Sequence, residues 1–185
     1  MKESQKILED ILTSKNAADG IRENMGSLLK LIPEIAPMIG FEHKHPHHIF
    51  DVWEHTLCAL SHASNNFDVR LVLLLHDIGK PFSFQEDGEI RHFKGHPEMS
   101  AAIARQILTR LDYPKEYVDY ICIVVAKHDT PLEETDIIKS PALARTIFEV
   151  QKCDTLAHNP KFNAKRLAYL DKVAKMLEEN RCLPY

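Results

Sequence analysis

Apolar residues recur along most of this chain at steps of three and four, the period of a helix that turns one face to a core. Ile21, Met25, Leu28, Leu29 and Ile32 form one such stripe, and Met99, Ile103, Ile107 and Leu111 form another. Ser140-Pro141 and Asn159-Pro160 each set a capping side chain before a proline at a first helical position. His96-Pro97-Glu98 has the same look and puts His96 at a helix N-terminus. The pattern predicts helices near 3–14, 17–32, 50–65, 69–79, 97–111, 115–128, 141–157 and 161–179. Pro33, Pro37, Gly40 and Pro46 make a loop of 33–49. Asp87-Gly88 is a hairpin turn signal, so a short hairpin or irregular loop is expected near 82–95. The fold class read from this is all-α, one domain over residues 1–185, with no repeat, low-complexity tract or linker to divide it.

Certain polar residues interrupt the pattern. The apolar run Leu71 to Leu75 ends in His76-Asp77. An ionised carboxylate beside a buried run costs several kcal/mol unless positive charge meets it. Lys80 lies about one helical turn away and cannot also neutralise a histidine cluster. Asp154 continues the stripe Leu143, Ile147, Val150, and His128 continues Tyr117, Ile121, Val124, Val125. Polar residues at core positions often mark function. Each has a plainer reading. His76-Asp77 could be a hydrogen-bonded pair, Asp154 could be met by a backbone amide or by Arg145, and His128 could cap a helix C-terminus. Taken with His55 in Asp51-Val-Trp-Glu-His55-Thr-Leu and His96 in Lys94-Gly-His96-Pro, coincidence becomes a poor account. His55, His76, Asp77, His96, His128 and Asp154 are the expected metal ligands. A nitrogen and oxygen donor set without thiolate suits Fe, Mn, Ni, Co or Zn, and not Ca. Asp51, four residues before His55, could orient that ligand or simply cap the helix. Of the other histidines, His43 and His45 are read as residues of a solvated loop shared with His47 and His48. His62, His92 and His158 are read as surface or partly buried, with no assigned role.

The formal net charge is −4, and no stripe of Lys and Arg runs along one face. A long nucleic-acid partner is therefore not expected. A small phosphorylated ligand is compatible, because a metal can supply local positive charge. The four cysteines, 58, 122, 153 and 182, are scattered without a Cys-x-x-Cys pair. They are read as reduced thiols of a cytoplasmic protein. The first residues lack the apolar stretch of a signal peptide, and no run is long enough to span a membrane.

The order His55, His76-Asp77, Asp154 resembles the HD-domain superfamily of metal-dependent phosphohydrolases, and the added His96 and His128 resemble its two-metal branch. Asp51-Val-Trp-Glu-His55-Thr-Leu, His76-Asp77-Ile-Gly-Lys80-Pro and Phe93-Lys-Gly-His96-Pro-Glu-Met-Ser-Ala together look most like the HD domain attached to some bacterial CCA-adding tRNA nucleotidyltransferases. The likeness spans roughly residues 45 to 160. It implies an HD-type helical bundle and two divalent transition-metal ions bridged by Asp77. His55, His76 and Asp154 would complete the first ion, and His96 and His128 would hold the second.

The reaction this constellation supports is phosphoester hydrolysis by a water activated between the metals. Asp77 and Lys80 are its expected catalytic residues. Lys80, His48 (which matches a family position and could also protonate the leaving oxygen) and Arg91 on the hairpin are candidates to bind substrate. The expected partner is a small phosphorylated substrate, a nucleotide or a phosphodiester such as a 2′,3′-cyclic nucleotide. A nucleotide phosphomonoesterase or pyrophosphohydrolase stays open, as does a non-catalytic metal- or nucleotide-binding module. No nucleotidyltransferase half accompanies the motifs, so nucleotide addition is not expected. No Gly-Tyr-Pro follows them, unlike the cyclic-dinucleotide phosphodiesterase branch, and no Glu-Asp follows His76-Asp77, unlike alarmone hydrolases. Residues 1–40 match nothing recognisable and are read as a helical extension, for packing or as a homodimer surface.

Overall fold

The computed structural model describes residues 2–180. Among them are eleven α-helices and one hairpin. In chain order these are α1 (Glu3–Leu12), α2 (Ala17–Glu23), α3 (Met25–Leu31), α4 (Val52–Ser61), α5 (Phe67–Leu75), α6 (Lys80–Ser83), β1 (Gln85–Asp87) and β2 (Ile90–His92). Then follow α7 (His96–Arg110), α8 (Lys115–Lys127), α9 (Glu134–Lys139), α10 (Pro141–Ala157) and α11 (Ala164–Glu179). Short 3₁₀ turns fill Pro33–Met38 and Pro160–Phe162. The all-α expectation holds, and the small hairpin sits where the Asp87-Gly88 signal placed one. Asp87 pairs with Ile90, and Gly88 takes a φ of 60° that a side chain would resist.

The helices start where side chains can meet their free amides. Asn16 accepts from Ala18 and Asp19 at the head of α2, and Asn66 accepts from Asp68 and Val69 at the head of α5. Asp51 caps α4 by accepting from the Glu54 amide at 2.7 Å, and its other oxygen takes the Gly40 amide at 3.0 Å. It is thus a cap and loop staple, with both oxygens turned to backbone.

Helix α5 is the hub. Every residue from Val69 to Leu75 is 3% exposed or less, and α1, α4, α7, α8 and α10 pack around it. Burial of each of its leucines stabilises the fold by about 2 kcal/mol. Arg70 is acceptable in this setting because carbonyls meet its guanidinium. Its Nη1 donates to Leu12 O at 2.6 Å, Ser14 O at 2.8 Å and Asn65 Oδ1 at 3.0 Å, which ties the end of α1 to α5. Leu8, Ile11, Leu12, Ala17, Ala18, Ile21 and Leu28 join the same core, so the N-terminal helices are part of it.

The structure departs from the sequence pattern in several places. The helix expected over 17–32 breaks at Asn24, whose Nδ2 donates to Gly20 O at 2.9 Å and competes with the backbone ladder. The helix expected over 69–79 ends at Leu75. Past it the chain tightens into turns in which Ile78 N–H donates to Leu75 O at 3.3 Å and Lys80 N–H donates to Asp77 O at 3.0 Å, and Pro81 sits in the first turn of α6. Helix α9 was not anticipated. It has six residues and buries only Ile137. On α7 the buried face runs through Ser100, Ala104, Ile107 and Leu108, and Met99 is exposed. Cys58, Cys122 and Cys153 are free thiols, and Cys182 lies outside the described residues. No described helix is long and apolar enough to cross a membrane.

Candidate metal centre

Five helices bring six side chains together. His55 lies mid-way along α4, and His76-Asp77 sit in the turn just past α5. His96 is the first residue of α7, His128 caps the end of α8, and Asp154 is in the last turn of α10. All six are buried. They form two groups with ligand atoms within 4.8 Å of one another: His55, His76, Asp154 and Asp77, His96, His128.

Asp77 stands between the groups. Its Oδ2 lies 3.3 Å from His76 Nε2 and 3.6 Å from His55 Nε2. Its Oδ1 lies 3.4 Å from His96 Nε2 and 3.8 Å from His128 Nε2. Lys80 Nζ is 2.7 Å from Oδ2, an ion-pair distance, yet neither oxygen accepts a well-aligned hydrogen bond. A buried carboxylate in that condition is costly unless a cation completes it.

The imidazoles make the same demand. Nδ1 of His76, His96 and His128 lies 2.7, 2.8 and 2.7 Å from the carbonyls of Leu73, Phe93 and Val125, each three residues back. His55 Nδ1 faces Ala157 O at 3.4 Å. A carbonyl only accepts, so Nδ1 carries a proton in each ring and Nε2 is the nitrogen turned inward, as in metal-binding histidines. His96 Nε2 and His128 Nε2 face each other at 3.1 Å. Two lone pairs at that distance repel unless a proton or a metal ion lies between them. His76 Nε2 is buried with no hydrogen-bond partner. The donor set thus fits divalent metal ions in its chemistry and its unmet valences.

Asp154 is shared. Oδ1 lies 2.9 Å from His55 Nε2 and 3.7 Å from His76 Nε2, and Oδ2 accepts from Arg166 Nη2 at 2.9 Å. Arg166 also donates to Asp129 Oδ1 and Thr155 Oγ1. The cation that meets Asp154 is therefore Arg166 on α11. Arg145 donates instead to Leu177 O.

Two histidines correct the sequence reading. His43 is buried, with Nδ1 2.9 Å from Phe50 O and Nε2 3.0 Å from Lys80 Nζ. His158 is also buried, with Nδ1 2.8 Å from Asp154 O, one helical turn back. His43 stacks on His48 with ring centres 3.7 Å apart. His48 Nδ1 is buried without a partner. His62 and His92 are exposed, as expected.

A cavity of about 450 Å³ opens onto the centre, lined by Asp77, His96, His128 and Asp154 and by His48, Lys80, Arg91 and Arg166. Arg91 lines it with a guanidinium already in use. Nε donates to Glu86 at 2.9 Å, Nη1 donates to Glu42 O at 2.7 Å, and the group stacks on Phe41 and Phe84. It pins the hairpin to the 41–44 loop.

Charge and burial oppose each other here. Burial resists ionisation of Asp77, but His76 and Lys80 outweigh it and hold the carboxyl well below the usual range. Asp154 is likewise held low against burial, by the neighbouring His158, His55 and His76. Burial also resists protonation of His76, yet Asp77 and Asp154 push its pKa up to about 10. Burial, then the charge of His76, brings His128 down to about 4. Burial brings His158 down to about 4, and burial with Lys80 brings His43 down to about 2.

These shifts set a pH dependence for metal-free protein. Below the ordinary histidine pKa of about 6.5, the unfolded chain takes protons that His43, His128 and His158 refuse when folded. Stability therefore falls as pH drops from that value towards 4. His76 works in the opposite sense: its contribution is complete below about 6.5 and is lost as pH rises towards 10. Urea midpoints of chelator-treated protein should peak near pH 6.5 and fall on both sides. Manganese should remove the alkaline fall, because metal binding takes the place of the His76 proton. A metal-free midpoint that climbs steadily from pH 6.5 to 9 would refute this assignment.

Comparison with known proteins is consistent with this arrangement. The HD domain family model matches residues 47–177. The chain is 38% identical over 136 residues to a CC-adding tRNA nucleotidyltransferase of Thermus thermophilus, covering 69% of this chain and 31% of the relative. It is 36% identical over 138 residues to an A-adding tRNA nucleotidyltransferase of Deinococcus radiodurans, covering 70% and 32%. It is 28% identical over 151 residues to a multifunctional CCA protein of an Azoarcus species, covering 77% and 34%. The chain spans about a third of the length of these curated relatives.

Proposed function

Because the chain belongs to the HD domain family, we propose that it is a metal-dependent phosphohydrolase acting on a small phosphodiester such as a 2′,3′-cyclic nucleotide. The observation that carries this reading is the Asp77 carboxylate, buried between His55 and His76 on the side of one oxygen and His96 and His128 on the side of the other. His55, His76 and Asp154 would hold one divalent ion, and His96 and His128 a second, with Asp77 within reach of both sets. Fe, Mn, Ni, Co and Zn all suit these donors.

The cavity favours catalysis over a structural metal. Its lining includes ligands from both groups, so the centre has an open side, as catalytic sites keep. Lys80, Arg91, Lys94 and Arg166 line it against Asp77, Glu98, Asp129 and Asp154, four cations facing four carboxylates. The side chains alone provide little net charge for an anion. Divalent ions, when bound, supply that charge, make a water acidic near neutral pH and offset the phosphoryl oxygens.

The remaining roles fall to the chain's own groups. Lys80 holds its ammonium beside Asp77 on the cavity wall, where it meets a phosphate oxygen. Burial and the Lys80 charge keep His48 neutral, so it serves as a hydrogen-bond partner to the phosphate or leaving oxygen rather than as the general acid. Arg166 holds Asp154 and brings positive charge to the opening. Arg91 adds charge to the wall while it fixes the hairpin.

The test is turnover by chelated protein reloaded with Mn²⁺ or Ni²⁺, on a 2′,3′-cyclic nucleotide, a nucleoside monophosphate and a nucleoside triphosphate. The cyclic diester should be cleaved fastest, and chelation should abolish turnover while the helical circular dichroism persists. A monoester or pyrophosphate preference would move the reading to a phosphomonoesterase or pyrophosphohydrolase. Lack of turnover with every metal would leave a binding module and end the hydrolase reading.

A further inference from the structure

We infer that His43 is the positioning residue of Lys80, holding its ammonium at the cavity wall for the substrate phosphate; this rests on the phosphohydrolase reading above. Lys80 is 5% exposed, and its Nζ meets Asp77 Oδ2 at 2.7 Å, His43 Nε2 at 3.0 Å and the face of Phe93, 5.4 Å from the ring centre. Asp77 is also the residue on which both candidate metal groups draw. A carboxylate that shares its charge with cations holds a lysine less firmly. His43 has no such competing demand, so it is the anchor that stays.

Geometry fixes how His43 does this. Its Nδ1 faces the Phe50 carbonyl at 2.9 Å, and that oxygen can only accept. The proton therefore sits on Nδ1, and the Nε2 lone pair is left to accept from Lys80, whose ammonium can only donate. Packing fixes the ring plane. His48 stacks on it at 3.7 Å with 3° between planes, and His55 and Phe93 meet it edge-on at 5.5 and 5.6 Å. An ammonium held in place loses less freedom on meeting a phosphate than a free lysine does.

Two measurements test this. In the wild-type protein, ¹⁵N NMR should find His43 as the neutral Nδ1–H tautomer. An Nε2–H tautomer overturns the inference, since that nitrogen could not then accept from Lys80. This readout needs neither metal nor turnover, so it stands even if the hydrolase reading fails, which wild-type inactivity would reveal. The second measurement is a double-mutant cycle on cyclic-diester hydrolysis. His43→Phe keeps a flat ring but removes the acceptor, and should lower kcat/KM about ten-fold, mainly through KM, with metal content unchanged. His43→Gln, which can present an oxygen to Lys80, should recover most of the loss. In a Lys80→Met background, His43→Phe should add almost nothing. Additive losses, or Gln as poor as Phe, would show that His43 acts apart from Lys80.

Discussion

Asp77→Ala protein will neither retain both metal ions nor turn over a phosphodiester. The expected fall in kcat is at least about 10³-fold, the scale set by removing charge stabilisation at a reacting centre. Asp77 is the residue whose two oxygens face both ligand groups, so its loss affects both at once. It also strips Lys80 of the carboxylate 2.7 Å from its Nζ, leaving a buried ammonium beside His43 and the Phe93 ring. The metal-free variant should therefore be less stable than metal-free wild type, because one member of a buried pair has gone. Elemental analysis of dialysed protein, with phosphate release measured alongside, checks the claim. Asp77→Asn is the sharper variant, since it keeps the shape and removes the charge. Full metal content with full turnover in either variant would refute the bridging role.

Gly79→Ala should be nearly as damaging, though Gly79 bears no functional group. Its φ of −82° suits any residue, so the requirement is one of space. A Cβ there would lie 2.5 Å from Ser100 N, 2.8 Å from Ser100 Oγ and 2.9 Å from His96 O. Two of these are backbone atoms in the first turn of α7, and the Gly79 amide already donates to Ser100 Oγ at 2.9 Å. The methyl can be housed only by pushing α7 away from the turn that carries His76 and Asp77. His96 moves with α7, so the Asp77, His96, His128 group opens. Overpacking of this kind costs about 3 kcal/mol, or roughly 10 °C in Tm for a chain of this size. Gly26→Ala is the control. That helical glycine has nothing near its added methyl, so the change should be neutral or slightly stabilising. Equal stability of the two variants would show that the tight contact at Gly79 is not a constraint.

Four of the six candidate ligands were legible in the sequence for a physical reason, while His55 and His96 joined them through the motifs around them. His128 and Asp154 fall on stripes otherwise apolar, and His76-Asp77 end a run that is buried on every side. Polar groups placed there need partners, and the partners proved to be one another. The helical class was legible for a related reason, since burial follows the three- and four-residue period through most of the chain. What escaped were local competitions that the period does not report. Asn24 turns its amide onto Gly20 O and breaks a helix, and tight turns at Leu75–Ile78 and Asp77–Lys80 end α5 four residues early. The outer partners escaped for another reason. Arg166 reaches Asp154 only because a 3₁₀ turn at Pro160–Phe162 redirects the chain into α11, and His43 meets Lys80 across 37 residues. His158 did leave a trace, being four residues past Asp154 on the same helical face, with nothing to separate it from ordinary surface histidines.

The central claim is that these six side chains hold a pair of cations. Anomalous diffraction from crystals soaked in Mn²⁺ tests it most directly. Two manganese peaks should appear roughly 3.5–4 Å apart, the spacing of two-metal sites, one against His55, His76 and Asp154, the other against His96 and His128, with Asp77 between them. Diffraction that shows no manganese at these residues, with the side chains otherwise as described, would contradict the account.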